Sequence, residues 1–106
     1  MKILLLGGTK DSTNIIQHIK EKYDAYILTT TTTEYGGKLA KKAGSDEVIS
    51  RPLLKDEITD LIKKQSFEIL IDATHPFAEH ITKTSVSISN ELNLTYIRFE
   101  RPTTNL

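Results

Sequence analysis

The sequence predicts an α/β domain built on a doubly wound, five-stranded parallel sheet with helices on both faces. Two short runs, residues 3–6 and 69–71, are wholly aliphatic, which is typical of strands buried on both faces of a parallel sheet. Amphipathic helical segments alternate with the strand-like segments, and this alternation requires right-handed crossovers between parallel strands. We expect the strand order 3-2-1-4-5.

The first half of the chain contains two strand–helix pairs. The first strand covers residues 3–6 and is followed by a helix over about 11–22, where isoleucines recur at helical spacing. Residues 25–29 are predicted to form the second strand. The five threonines at 29–33 are β-branched and argue against helix, so we expect a strand end that runs into a loop. A short helical stretch capped by Gly44 then follows residue 37.

The second half continues the alternation. Residues 47–50 are predicted to form a brief third strand, and a helix follows over about 54–65. The fourth strand is expected at 67–72. An apolar helix face then extends from residue 77 to residue 92, and residues 96–99 close the series as the fifth strand.

Composition excludes several classes of function. The 106 residues suit one domain, and 14 Lys and Arg balance 14 Asp and Glu, so no net field attracts nucleic acid or an anionic membrane. No apolar run approaches the roughly 20 residues that span a bilayer, and a cytoplasmic protein is therefore expected. Because the chain has no Cys, disulfides and thiolate chemistry are ruled out.

The loop after the first strand is a candidate phosphate-binding turn. Ligands of doubly wound, Rossmann-like sheets bind beyond the carboxyl ends of the strands. Gly7 and Gly8 would let the backbone approach a phosphate, with Thr9 or Ser12 adding a hydroxyl, at the positive end of the next helix. Neither a G-x-G-x-x-G nor a Walker pattern fits. A tight turn capped by Thr9 or Asp11 is the alternative.

The loop after the fourth strand holds a carboxylate and an imidazole. His75 could donate a proton, and Asp72 could orient it or bind a ribose hydroxyl. The alternative is structural: Asp72 accepts N–H groups of its own turn, and Thr74 or His75 caps a helix that has Pro76 in its first turn. We expect no metal site, because His75 and His80 are five residues apart and point to different helix faces.

The predicted strand order makes the two loops neighbours. In the order 3-2-1-4-5 the loops after strands one and four adjoin at the switch point, and the Cα atoms of Gly8 and His75 should lie within about 15 Å. An adenosine ribose would then lie near residues 29–33. No acidic residue that favours NAD and no Arg that favours NADP is present there, so NADPH and NADH both stay open.

The predicted last strand ends in charged residues. Arg98 and Glu100 share a face and are expected to form an ion pair at the domain edge. Alternatively, Arg98 and Arg101 contact acidic groups of a substrate.

Three strings together indicate a family. They are Leu-Leu-Gly-Gly-Thr at 5–9, Asp-Ala-Thr-His-Pro-Phe-Ala at 72–78 and Arg-Phe-Glu-Arg-Pro at 98–102. In this order and spacing they resemble the precorrin-6A reductase family of cobalamin biosynthesis. The middle string is the specific part, and the three cover nearly the whole chain.

The resemblance implies an enzyme that uses NADPH or NADH to reduce one double bond of precorrin-6A or of cobalt-precorrin-6A. It implies that Gly7, Gly8 and Thr9 hold the cofactor phosphate and that Asp72, Thr74 and His75 line the cleft. It also implies that the adenosine end is flanked by Thr29, Thr30 and the 35–37 stretch with Gly36.

The resemblance also implies an enzyme with two α/β domains in tandem. We therefore expect residues 1–106 to be a single Rossmann-like nucleotide-binding domain, the N-terminal half of a two-domain reductase, which is inactive alone and needs the second domain to bind its tetrapyrrole. One alternative is a stand-alone nucleotide-binding or regulatory module without catalysis. Another is a scaffold that binds nothing.

Overall fold

The computed structural model describes residues 1–75 and 78–100. In these residues five strands alternate with four helices. In chain order the elements are β1 Lys2–Leu6, α1 Lys10–Lys22, β2 Tyr26–Thr31, α2 Glu34–Ala43, β3 Glu47–Ser50, α3 Lys55–Gln65, β4 Ile69–Asp72, α4 Glu79–Leu92 and β5 Thr95–Arg98.

The strands form one parallel sheet in the order β3-β2-β1-β4-β5, which confirms the predicted order. Leu6 at the end of β1 is level with Thr30 on one side and with Asp72 on the other. Asp72 is in turn level with Arg98 on β5. The carboxyl ends of the strands therefore bring the loops after β1, β2 and β4 to a single edge of the sheet.

Alternate residues of each strand pack on opposite faces of the sheet. On β1, Ile3 and Leu5 join one buried cluster, whereas Leu4 and Leu6 join the other. The first cluster includes Ile16 and Ala40 of α1 and α2; the second includes Ile58, Ile62 and Ile88 of α3 and α4. Burial of such a side chain contributes about 1.5–3 kcal/mol. The expectation of helices on both faces is confirmed.

Local sequence signals set the ends of the first two helices. Thr9 is the N-cap of α1, and its side chain accepts a hydrogen bond from the backbone N–H of Ser12. Thr33 caps α2 in the same way through the N–H of Gly36. Gly44 ends α2 with a φ of +119°, where an L-residue is strained. The predicted cap at Gly44 is confirmed, and of the two residues considered as caps for α1, Thr9 and Asp11, the N-cap is Thr9.

The start of α2 differs from the prediction. The helix begins at Glu34, so Gly36 and Gly37 lie within its first turns and not in the preceding loop. Tertiary packing explains this placement, because a Cβ on Gly37 would overlap the hydroxyl of Ser50 on β3. The glycine allows the helix to approach the sheet closely. β2 also extends to Thr31, two residues beyond its predicted end.

The start of α4 also corrects the prediction. Its N-cap is Ala78, which makes no side-chain cap, so neither Thr74 nor His75 caps the helix. Thr74 lies four residues before this N-cap, and its hydroxyl donates to the Asp72 carboxylate, a charged acceptor that makes a strong hydrogen bond. Pro76, Phe77 and the expected helical start at residue 77 lie outside the described residues, as do residues 101–106.

Within residues 1–75 and 78–100, no helix has both the length and the apolar character needed to cross a membrane. The same residues contain no group of three or more His, Cys, Asp or Glu side chains that could hold a metal ion.

Candidate functional site

The turn after β1 presents open backbone at the sheet edge. The N–H of Gly7 donates to the Thr30 carbonyl at 2.8 Å, which ties the turn to the end of β2. Gly8 has a φ of +102°, is exposed, and has no atom within 4 Å of the position a Cβ would occupy. A ligand can therefore approach the backbone at Gly8 without meeting a side chain.

Thr9 joins this turn to the loop after β4. Its Oγ1 donates to the Ala73 carbonyl at 2.9 Å while accepting the N–H of Ser12 at 3.2 Å. A hydroxyl has one hydrogen to donate, and here that hydrogen is used on Ala73. The Thr9 side chain is therefore engaged within the protein, and the predicted adjacency of the two loops is confirmed.

Asp72 is the centre of the loop after β4. Its side chain is completely buried, at 0% exposure, and its carboxylate accepts hydrogen bonds from every side. The donors are the Thr74 N–H at 3.1 Å, the Thr74 hydroxyl at 2.6 Å, the Thr82 hydroxyl at 2.7 Å, the Tyr96 hydroxyl at 2.9 Å and Arg98 Nη1 at 3.1 Å. These five donors offset the cost of removing the charge from water.

The network shifts two pKa values in opposite directions. Burial by itself raises the pKa of Asp72, but the hydrogen bonds from Thr74, Thr82 and Tyr96 outweigh it and lower the pKa below its ordinary value. Burial and the neighbouring Asp72 carboxylate raise the pKa of Tyr96 to about 12. Asp72 is therefore an ionised acceptor at neutral pH, and Tyr96 is a neutral donor.

Arg98 faces the interior as well as the surface. Its Nη1 reaches the Asp72 carboxylate and also donates to the Thr74 carbonyl at 2.9 Å. The predicted pair with Glu100 is present at 3.8 Å between Nη2 and Oε1, but Glu100 is largely exposed. The inner pair is shielded from solvent and is therefore the stronger one. Arg101 lies outside the described residues.

His75 is exposed at the same edge, two residues after the carbonyl that Thr9 binds. Its own carbonyl accepts the N–H of Ala78 at 2.8 Å, which closes the turn before α4. The two residues predicted to be catalytic therefore differ in accessibility: Asp72 is enclosed, whereas His75 is exposed.

The threonines at the end of β2 alternate between the two faces of the sheet. Thr29 is completely buried, with its hydroxyl 2.8 Å from that of Ser45. Contact between Thr29 and a ligand would require the hydroxyl to leave Ser45. Thr30 faces the opposite side of the sheet and lines a notch at the edge.

Two concavities adjoin the turn. The larger, of about 650 Å³, lies between the N-terminal half of α1 and the length of α2. Its described lining includes Gly8, Gly36, Tyr35, Lys10 and Lys42, and no carboxylate. The smaller notch, of about 90 Å³, is lined on the other face by Gly7, Thr30, Thr74, Arg51 and apolar side chains. Both openings reach the candidate phosphate turn.

Sequence reasoning missed Arg51, Thr82 and Tyr96. Arg51 lies beside the threonine loop because Ser50 pairs with Thr31 across β2 and β3. Tyr96 and Arg98 are two residues apart and so share one face of β5, a signal that the sequence contained. Their common target, Asp72, became visible only when β4 and β5 were paired.

These features define a Rossmann-like α/β domain with a candidate ligand site at the carboxyl edge of its sheet. A family model described as precorrin-6x reductase CbiJ/CobK matches residues 2–106. The chain belongs to this family, as the three sequence strings indicated.

Two curated relatives are similar to this chain over most of its length. It is 48% identical over 101 residues to the cobalt-precorrin-6A reductase of Methanocaldococcus jannaschii, covering 95% of this chain and 40% of the relative. It is 44% identical over 103 residues to the enzyme of that name from Methanococcus maripaludis, covering 96% of this chain and 41% of the relative. The chain thus spans about two-fifths of their length.

A solved structure titled CobK precorrin-6A reductase superposes with a TM-score of 0.80 at 18% identity, covering 100% of this chain and 41% of that one. At this identity the likeness supports the fold.

Proposed function

We propose that this chain is the N-terminal, cofactor-binding domain of a reductase that acts on precorrin-6A or cobalt-precorrin-6A with NADPH or NADH. The observation that carries the proposal is the 2.9 Å hydrogen bond from Thr9 to Ala73. This bond holds the candidate phosphate-binding turn beside the loop that contains His75, an arrangement suited to a dinucleotide-dependent reaction. Family membership supports the reaction type.

The cofactor pyrophosphate is assigned to the backbone of the turn. Gly8 is open to approach, and the first N–H groups of α1 carry the positive end of the helix dipole. Because the Thr9 hydroxyl hydrogen is engaged by Ala73, we assign Thr9 a supporting role there. The phosphate oxygens would accept hydrogen bonds from main-chain N–H groups.

The adenosine end is assigned to the carboxyl end of β2 and the start of α2. Gly36 lines the larger cleft there, and Thr30 lines the smaller notch. Thr29 contributes to packing, because its side chain is buried against Ser45. The Lys10 and Lys42 side chains in the larger cleft suit an anionic nucleotide. This lining is compatible with NADPH and with NADH.

The nicotinamide cofactor, when bound, supplies a hydride for a carbon of the macrocycle double bond. The protein must then orient the two partners and deliver a proton to the neighbouring carbon. We assign the proton donor to His75, which is exposed at the edge. Asp72 is enclosed by five donors, and we assign it to holding the loop in place.

The tetrapyrrole is assigned to a cleft completed by a further domain. The matched relatives are about two and a half times as long as the match, since it covers 40–41% of their length. Hydride transfer to a large macrocycle by this domain alone is not expected. A second candidate function is nucleotide binding without catalysis, which the open backbone at Gly8 supports equally.

Calorimetric titration of the purified domain with NADPH and with NADH tests the proposal. We expect saturable binding of at least one of them. Gly8→Val should abolish binding, because a side chain at an open, positive-φ position blocks the backbone. Gly44→Val is the matched control, since Gly44 also has a positive φ but lies at the end of α2. A folded domain that binds neither dinucleotide contradicts both candidate functions.

If the domain binds a dinucleotide, a reductase assay on the protein that contains it separates the candidates. Oxidation of the cofactor that depends on precorrin-6A or cobalt-precorrin-6A supports the reductase. Tight binding with no oxidation of the cofactor supports the nucleotide-binding module.

A further inference from the structure

The segment that leads to His75 is held by two distant parts of the domain. The Ala73 carbonyl accepts a hydrogen bond from the Thr9 hydroxyl at 2.9 Å, so the candidate phosphate-binding turn fixes the peptide group that follows Ala73. The next carbonyl, that of Thr74, accepts a hydrogen bond from Arg98 Nη1 at 2.9 Å, so the end of β5 fixes the peptide group between Thr74 and His75. The first contact is shared with the candidate cofactor turn, whereas the second is independent of it.

We propose that Arg98 is a positioning residue: by binding the Thr74 carbonyl, it sets where His75 lies relative to a nicotinamide at the sheet edge. This inference rests on the proposed function, which assigns proton delivery to His75. It differs from both sequence-based interpretations of Arg98, an edge ion pair with Glu100 and a contact with an acidic substrate.

The geometry favours an internal role over a substrate contact. Nη1 lies 3.1 Å from Asp72 Oδ1, 2.9 Å from the Thr74 carbonyl and 3.3 Å from the Thr74 hydroxyl. A guanidinium Nη carries two hydrogens, so these internal acceptors use its full donor capacity. The side chain is 20% exposed, and its Nη2 lies 3.8 Å from Oε1 of the exposed Glu100.

Charge makes this contact specific for a cation. Asp72 is completely buried and ionised, and Arg98 is the cation among its described partners. The guanidinium therefore balances the carboxylate while its planar fork reaches the next carbonyl along the chain. An apolar side chain of similar length would fill the same space but would bind neither acceptor.

The test uses Arg98→Met, Arg98→Lys and the matched control Glu100→Gln, which changes only the exposed partner of Arg98. Two-dimensional NMR follows the His75 backbone amide and imidazole, and the nuclear Overhauser effect between the His75 ring and bound NADPH or NADH. Calorimetry gives the cofactor Kd. Urea unfolding measures stability separately from position.

We expect Arg98→Met to move the His75 signals and to reduce the ring-to-nicotinamide effect at least twofold. Its Kd for the cofactor should stay within about threefold of that of the unmodified domain, because Arg98 does not line the phosphate turn. Arg98→Lys should restore part of the effect, and Glu100→Gln should match the unmodified domain. A purely structural role would change the unfolding free energy and leave the His75 signals of the folded protein unmoved.

Arg98→Met leaves a buried carboxylate without its cation and could prevent folding. The double variant Asp72→Asn/Arg98→Met removes both charges and keeps the test valid. Unmoved His75 signals in a folded variant of either kind would overturn the positioning role. An unmodified domain that binds no cofactor would instead contradict the proposed function, while the His75 amide would still report whether Arg98 positions it.

Discussion

The Thr9 hydroxyl donates to the Ala73 carbonyl across 64 positions of sequence, at 2.9 Å. One side chain thereby caps α1 and connects the two loops on which the proposed chemistry depends. A hydroxyl is suited to this double role, because it can accept the N–H of Ser12 and donate its single hydrogen elsewhere.

Thr9→Ala should therefore destabilise the domain more than Thr33→Ala. Both substitutions remove an N-cap, which costs about 1 kcal/mol, but only Thr9 also binds the other loop. We expect Thr9→Ala to cost about 1 kcal/mol more, the net value of a hydrogen bond. Thr9→Ser should retain most of the stability. Urea unfolding provides the measurement, and equal losses for both alanine variants would refute the double role.

Asp72 should make the stability of the domain sensitive to acid. The pKa of Asp72 is lower in the folded protein than the ordinary value of 3.8. Its contribution is therefore complete above about pH 4 and is lost as the pH falls through the folded pKa. Unfolding free energies measured from pH 7 down to pH 2.5 should fall less steeply at the acid end in Asp72→Asn. A parallel decline in both proteins would contradict this prediction.

Removing the carboxylate altogether should cost more. Asp72→Ala leaves the buried hydroxyls of Thr82 and Tyr96 and the Arg98 cation without their acceptor. The loss of one partner from a buried ion pair costs about 3–5 kcal/mol. Thermal unfolding at neutral pH checks this value. Glu91→Ala, which breaks the exposed pair with Lys55, is the control and should change the melting temperature little.

Tyr96 should keep its proton well into the alkaline range. Its pKa is raised from the ordinary value of 10.0 to about 12, so its phenolate absorbance should develop at a higher pH than that ordinary value. Because the folded pKa exceeds the unfolded one, the contribution of Tyr96 to stability declines as the pH rises from about 10 to about 12. Difference absorbance between the unmodified domain and Tyr96→Phe isolates this titration. A midpoint near 10 would show that the bond to Asp72 is absent.

Gly37→Ala should destabilise the contact between α2 and β3. The added Cβ would overlap the Ser50 hydroxyl and press on Val48, and overpacking of this kind costs about 1–3 kcal/mol. Gly36→Ala is the matched control in the same helix. There the nearest atom lies 3.2 Å away, and the gain in helix propensity offsets part of the strain. Urea unfolding should rank Gly37→Ala as the less stable variant.

Local patterns predicted most of the fold, and long-range packing accounts for the differences. The β3 strand at Glu47–Ser50 agrees with the predicted bounds, and β1 and α3 differ from theirs by one residue. The early start of α2 was missed because two adjacent glycines indicate a turn when seen in sequence alone. Only the close approach of α2 to Ser50 gives Gly37 a reason to lie within a helix.

The candidate site was predicted in part. The loops at Gly7 and His75 were recognised from the chemistry of their residues and from their positions after buried strands. The enclosure of Asp72 was not, because its donors Thr82, Tyr96 and Arg98 lie 10 to 26 positions further along the chain.

The sequence by itself determined the alternation of strands and helices, the cap at Gly44, and the family to which the chain belongs. These features depend on residue type and on spacing over a few positions, which a linear chain displays directly. The tertiary structure decided that Thr9 binds Ala73, that Asp72 is enclosed while His75 is exposed, and that Arg98 faces inward. Those outcomes depend on which strands are neighbours and in what register, because register sets which side chains of distant segments come within hydrogen-bonding distance.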